Sequence, residues 1–216
     1  FRDFRPTLQL SSALDKSNKN LLFDSGKWDQ PLIWFNLKKK FKNYQRRTSK
    51  VFPDGGYIII CPDNSSWALL RLPNYFIRPS QNDPLHFDLW SNGINLLRDG
   101  GTYSYNSISK YQDYFNGIES HNSIEFSGNK QMFKISRFLL GSKICFKNNI
   151  KIEETKNSIS FDTYYTFEDN YHRRKILKGA KNNYWDIIDN FYACNKKIIL
   201  RWRLAPVKWK KINNVE

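Results

Sequence analysis

Apolar and polar residues alternate along most of the chain beyond residue 50. Leu85, Phe87 and Leu89 fall on one side of an extended segment, and His86, Asp88 and Trp90 fall on the other. Period-two alternation marks a strand with one face against a core. Ser91-Asn92-Gly93 reads as a tight turn into a second strand, Ile94 to Arg98, which ends at Asp99-Gly100-Gly101. His121-Asn122 opens a third strand, Ser123 to Phe126. Upstream, Phe52-Pro53-Asp54-Gly55-Gly56 is a turn signal that launches the β-branched run Tyr57 to Cys61. Trp67 to Leu72 returns after Pro62-Asp63-Asn64. Downstream, the pattern predicts strands at Phe133 to Leu140, Lys143 to Phe146, Ile150 to Glu153, Ser158 to Phe167, Lys175 to Lys178, Tyr184 to Tyr192 and Lys197 to Leu204. Many short strands bounded by Gly, Asn and Pro predict an all-β fold, a large antiparallel β-sandwich. The pattern predicts no helix and no internal repeat after residue 50. The last strand leaves an unpaired sheet edge.

Residues 1–48 read differently. Ile33, Leu37 and Phe41 stand near helical spacing behind Pro31, which is tolerated in a first helical turn. A helix over 31–41 is predicted, with Lys38-Lys39-Lys40 on its solvated side. The domain boundary is placed between residues 48 and 49.

Lys and Arg total 35 against 20 Asp and Glu, a formal net charge of +15 over 216 residues. So basic a chain attracts polyanions such as acidic polysaccharide or nucleic acid. Much of the excess is Lys in Lys/Asn/Ile-rich segments, the composition of solvated surface. The three cysteines, Cys61, Cys145 and Cys194, form no CxxC pair, which argues against a disulfide framework and a Cys-based zinc site. Cys61 and Cys145 lie in apolar runs and are expected in the core. No apolar stretch approaches the roughly 18 residues of a membrane span. No signal-peptide pattern is visible. The chain begins with Phe1 rather than Met, and a longer parent protein is the expectation.

The run LHFDLWSNGINLLRDGGTYSY, followed by SHNSIEFSGNKQM, resembles the C-terminal β-sandwich domain of the heparinase II/III-like polysaccharide lyases. The likeness continues through RRKILKG and IIDNF, from Arg173 onward, and more weakly through RWRLAP, Arg201 to Pro206. The resemblance implies an α/α barrel ahead of the sandwich that carries most catalytic groups. By it, residues 1–48 are a short helical remnant of that barrel and 49–216 the sandwich. It also implies a periplasmic or secreted bacterial protein that acts on a uronate polymer such as a glycosaminoglycan or alginate.

The family's sandwich holds zinc on a His upstream of the first strand, the Asp ending the second strand and the His of the HN pair. The last two map onto Asp99 and His121. The family's HxHxD stands here as Pro79-Ser80-Gln81-Asn82-Asp83. Gln81 therefore takes a metal-ligand position, and Pro79 takes that of a His proposed to act in catalysis. A self-sufficient lyase is not expected from these residues.

Imidazole and carboxylate are both zinc ligands, so Asp99 and His121 form half a site. Gln81, or His86 from the neighbouring strand, supplies a third donor. The competing structural reading has Asp99 capping turn amides with His121 bonded to it. Asp88 is expected as the hydrogen-bond partner of His86. His172-Arg173-Arg174 reads as an exposed basic hairpin. Tyr103 and Tyr105 face a cleft or the core; Tyr105 and Arg78 are the candidate substrate contacts.

Three functions compete. The first is the sandwich portion of a heparinase II/III-like protein that binds acidic polysaccharide and supports β-elimination in a full-length parent. The second is a non-catalytic carbohydrate-binding or structural module. Nucleic-acid binding, the third, rests on charge alone, since no recognised motif is present.

Overall fold

A computed structural model of the chain describes residues 3–15, 25–38, 48–63, 65–75, 78–128, 130–147, 149–179, 184–194 and 197–210. Contacts divide the chain into two units, Phe1–Arg46 and Arg47–Glu216.

The first unit holds helix α1 (Arg5–Leu14), a 3-10 turn (Lys27–Asp29) and helix α2 (Gln30–Trp34). The Gln9 amide of α1 donates to Asp29, and Arg5 lies over the Trp28 ring at 3.8 Å. The helix predicted over 31–41 is thus much shorter. Leu37 N–H bonds back to Leu32 O at 2.8 Å, and Asn36 takes a left-handed φ of 50°, which ends the helix. Lys39, Lys40 and Phe41 lie outside the described residues.

The second unit begins with an antiparallel sheet: β1 (Lys50–Phe52), β2 (Tyr57–Ile60), β3 (Ser66–Arg71), β4 (Phe87–Ser91) and β5 (Ile94–Leu97), paired in that order. Asn92 (φ 47°) and Gly93 (φ 78°) both enter the left-handed region between β4 and β5. That backbone matches the twist of a two-residue hairpin, and Asn-Gly adopts it at least strain. Helix α3 (Ser109–Asn116) and a 3-10 turn (Ile118–Ser120) follow. Then come β6 (Ile124–Phe126), the hairpin β7 (Met132–Ser136) with β8 (Leu139–Ser142), and β9 (Ile144–Cys145). The second large sheet runs β10 (Lys151–Glu154), β11 (Ser158–Phe167), β12 (Asn170–Gly179) and β13 (Trp185–Tyr192), with β9 also on β11. β14 (Ile198–Leu200) pairs β6, and Leu204 makes a single bridge to Leu97.

The core lies between the two large sheets. Ile58, Ile60, Ala68, Leu70, Phe87 and Leu89 enter from one side, and Ile159, Phe161, Tyr165, Phe167 and Ile176 from the other. Ile124 and Phe126 of β6 join them. A fully buried Leu, Ile or Phe side chain stabilises the fold by about 1.5–3 kcal/mol, so this inward set carries the sandwich.

Several expectations are corrected. Helix α3 interrupts the all-strand reading after residue 50. Phe133 to Leu140 is a turn-containing hairpin, β7 and β8, rather than one strand. Cys61 is buried, but Cys145 is exposed at the sheet's margin. His172-Arg173-Arg174 is not a turn: these residues lie within β12, paired to Tyr165, Tyr164 and Thr163 of β11. Strand parity decides their fate. His172 and Arg174 share a face with Ile176 and are fully buried, while Arg173 points out and pairs with Asp162.

Candidate functional site

Gly100 positions the site. Its N–H donates to Ser120 O at 2.9 Å, and a Cβ there would meet Ser120 Cβ at 2.8 Å. Only a glycine lets the end of β5 lie this close to the residue before His121. Asp99 and His121 consequently meet, with His121 Nδ1 2.6 Å from Asp99 Oδ2. The second Asp99 oxygen accepts the Gly101 N–H at 2.5 Å. His86, on the segment entering β4, brings its Nε2 to 3.5 Å from Asp99 Oδ2. The two imidazoles stand edge-on, centroids 5.5 Å apart.

His86, Asp99 and His121 thus form a cluster whose donor atoms all lie within 4.8 Å of one another. They line a pocket of about 280 Å³ together with Gln81, Asp83, Arg71 and Asp88. Three side-chain atoms of this group are buried without a hydrogen-bond partner: His86 Nε2, His121 Nε2 and Gln81 Oε1. Buried polar atoms are ordinarily paired, so three orphans in one pocket point to a ligand. Burial disfavours the Asp99 carboxylate, but the His121 hydrogen bond and the imidazoles outweigh it and hold Asp99 at about 2. Burial pushes His86 down to about 3, so its ring is neutral.

Asn122 knits the site together. Its backbone N–H donates to His86 Nδ1 at 2.9 Å. Its side-chain amide donates to Phe87 O at 2.8 Å and Arg98 O at 3.3 Å, and its carbonyl accepts the Arg203 N–H at 2.5 Å. The bond to His86 assigns the tautomer: Nδ1 accepts, so the neutral ring carries its proton on Nε2. That proton faces Asp99.

Beneath the histidines lies a buried ion pair. Arg174 donates to both oxygens of its cross-strand neighbour Asp189, at 2.7 and 2.9 Å. Its remaining terminal nitrogen donates to Leu85 O at 2.5 Å and Asn122 O at 2.7 Å, the carbonyls beside His86 and His121. Asp189 also accepts from His172 Nε2 at 2.7 Å. Asn122, Arg174 and Asp189 were not among the sequence candidates. Parity with Ile176 and Ile187 was the available signal for the ion pair.

Other expected partners differ. Asp88 accepts from Asn95 rather than from His86, and burial raises it to about 6. Tyr105 and Arg78 lie outside the pocket lining. Tyr105 is 69% exposed, packed edge-on against Phe138, and Tyr103 is 66% exposed, so neither is a core aromatic.

The buried His172 carries a testable pH dependence. Burial lowers it to about 4, below the ordinary 6.5, although the Asp189 bond pulls the other way. The unfolded chain therefore takes up this proton first as pH falls. Stability is full above about pH 6.5 and is lost progressively down to about pH 4, by roughly 3 kcal/mol. His86 adds loss of the same sign. Asp88, raised to about 6, offsets part of it between about pH 6 and 4, because its folded carboxyl takes up a proton first. Asp189, held at about 2, adds its own loss only below about pH 4. Urea midpoints should stay level from pH 7.5 to about 6.5 and fall from there to pH 4.5, and His172→Phe should remove at least half of that fall. An unchanged fall in that variant refutes the assignment.

A family profile described as heparinase II/III-like, C-terminal, matches residues 44–211. The chain belongs to that family. Solved structures share the heparinase-type sandwich. Heparinase III, the BT4657 gene product, superposes with a TM-score of 0.60 at 18% identity, over 83% of this chain and 27% of that one. Heparan sulfate lyase HepC from Pedobacter heparinus superposes with a TM-score of 0.54 at 17% identity, over 88% and 28%. At such identities the likeness establishes the fold. The heparinase II/III-like chain described here spans little more than a quarter of the length of either protein. No curated protein matches it. No helix among the described residues is long and apolar enough to cross a membrane.

Proposed function

We propose that this chain is the β-sandwich portion of a polysaccharide lyase, that it binds acidic, uronate-containing polysaccharide, and that it holds a structural zinc ion. On this reading residues 1–48 are the tail of an α/α barrel. The exposed Ile33, Trp34 and Phe35 suit a helical segment that belongs to a larger body. The observation that carries the proposal is the convergence of His86, Asp99 and His121 in one pocket with unpartnered ring nitrogens.

Zinc would be held by Asp99 and His121, with Gln81 Oε1 or His86 completing the set. These are donors of the right kind. One feature favours Gln81: His86 must release its Nε2 proton to ligate, because Asn122 already occupies Nδ1. Zinc there would fix the ends of β4 and β5 and the start of β6 as one rigid face and neutralise nearby anionic charge. The chain's own residues do the rest. Asn122 orients His86, Arg174 anchors both histidine-bearing segments, and the basic surface draws the polymer. Tyr105 and Arg78 are the proposed polymer contacts outside the pocket.

Two measurements on the 216-residue chain test this. Metal analysis after dialysis against zinc should find about one ion per chain, reversed by a chelator. Immobilised heparan sulfate should retain these 216 residues in a salt-sensitive way, without release of unsaturated product, because the family resemblance places most catalytic groups on the barrel. A metal-free protein refutes the zinc assignment. Passage through the column unretained refutes the polysaccharide assignment.

A further inference from the structure

We propose that Arg98 and Arg203 form a binding site for a carboxylate or sulfate group, and that the tyrosine ledge beside them takes the sugar ring bearing it. This rests on the acidic-polysaccharide reading and gives the polymer a place on the surface.

The bridge between Leu97 and Leu204 sets Arg98 directly opposite Arg203, with the Arg98 N–H donating to Arg203 O at 3.0 Å. Like charges at opposite register positions repel and weaken the pairing. Neither guanidinium has a carboxylate partner among the described residues. Arg203 is pinned from one side only: a terminal nitrogen donates to Tyr114 Oη at 2.9 Å, while its Nε is buried with no partner. A repelling arginine pair with an unmet buried donor is a ready receptor for an anion. Arginine's planar fork suits carboxylate and sulfate alike.

The same Tyr114 begins an aromatic ledge. Its ring meets Phe115 edge-on at 5.0 Å, Phe115 stacks on Tyr103 at 5.2 Å, and Tyr103 leans on Tyr111 at 5.3 Å. Tyr103 is 66% exposed, Tyr111 45% and Tyr114 40%. Tyr103 also holds a left-handed φ of 62°. An aromatic residue is rarely found there, and such strain concentrates at binding sites. Exposed, rigid ring faces beside cations match one class of ligand: a flat saccharide with an acidic substituent. A purely apolar partner would leave the arginines buried and unpaired.

Calorimetric titration of the 216-residue chain tests this, using a heparan sulfate decasaccharide in one arm and an unsulfated uronate decasaccharide in the other. Preference for the first assigns the anion as sulfate, and equal binding assigns it as carboxylate. Arg98→Gln and Arg203→Gln should each weaken binding about tenfold. Each should also lower the slope of log Kd against log salt by up to about one. Tyr103→Ala should weaken binding about fivefold and leave the slope unchanged. Lys151→Gln on β10, in the other large sheet, should change little. Arg98 is exposed, so its variant keeps the test open even if Arg203→Gln unfolds. If wild type binds and all three site variants bind as tightly, the site is refuted and the polysaccharide reading survives. If wild type binds neither oligosaccharide, both fall.

Discussion

Arg174→Met destabilises the chain by about 3–5 kcal/mol, the usual effect of breaking a buried ion pair from one side. Arg174 is completely buried, and its substitution leaves the Asp189 carboxylate without a cation, held only by the His172 N–H. It also strips a donor from the carbonyls of Leu85 and Asn122. Buried acceptors that lose their donors add about 1–3 kcal/mol each at most, and local relaxation recovers part of that. Urea unfolding followed by far-ultraviolet circular dichroism gives the number. The double variant Arg174→Met/Asp189→Leu should recover a large part of the loss, since no lone charge remains inside. A single variant within about 1 kcal/mol of wild type shows that the pair is not an internal support.

On the proposed zinc reading, Asp99→Asn should lower affinity for the ion by roughly 100-fold or more, because the amide keeps the shape of the carboxylate and loses its charge. Cobalt makes the loss visible: its visible absorption reports tetrahedral nitrogen and oxygen ligation, and chelator competition yields the affinity. Gln81→Ala separates the two third-donor readings. A loss approaching that of Asp99→Asn names Gln81 as a ligand, and no loss leaves His86 in that place. The effect is specific only if the fold persists, so the melting transition of each variant is recorded beside the titration. Cobalt binding as tight in Asp99→Asn as in wild type removes the carboxylate from the ligand set.

Much of the fold was legible along the chain. The boundaries of β11 and the hairpin of β4 and β5 follow from alternation and from Asn92-Gly93. These signals are local, set by pleat and turn chemistry. The buried arginine was misread because a charge cluster resembles a turn when composition is weighed above parity. Arg174 sits between His172 and Ile176 on one face, and the same period-two reading that placed Leu85, Phe87 and Leu89 on one side would have placed it inside. Helix α3 was missed for another reason. Its run of eight residues, SKYQDYFN, is short and carries no N-terminal side-chain cap, so the helical spacing of Ile108, Tyr111 and Phe115 spans too few turns to stand out from a loop.

The candidate site divides in the same way. Asp99 and His121 were singled out by the family resemblance, as the Asp ending a strand and the His of an HN pair. His86 entered only as an alternative. The pattern could not say that Asn122 occupies the Nδ1 of His86, nor that Arg98 and Arg203, more than a hundred residues apart in sequence, face each other.

What the sequence alone determined is the set of residues that turn inward and the turns between them, since both depend on neighbours a few positions away. What tertiary structure decided is which distant polar groups share a partner. Those pairings depend on sheet register and on one close backbone approach at Gly100, where three segments converge in space though no local pattern joins them.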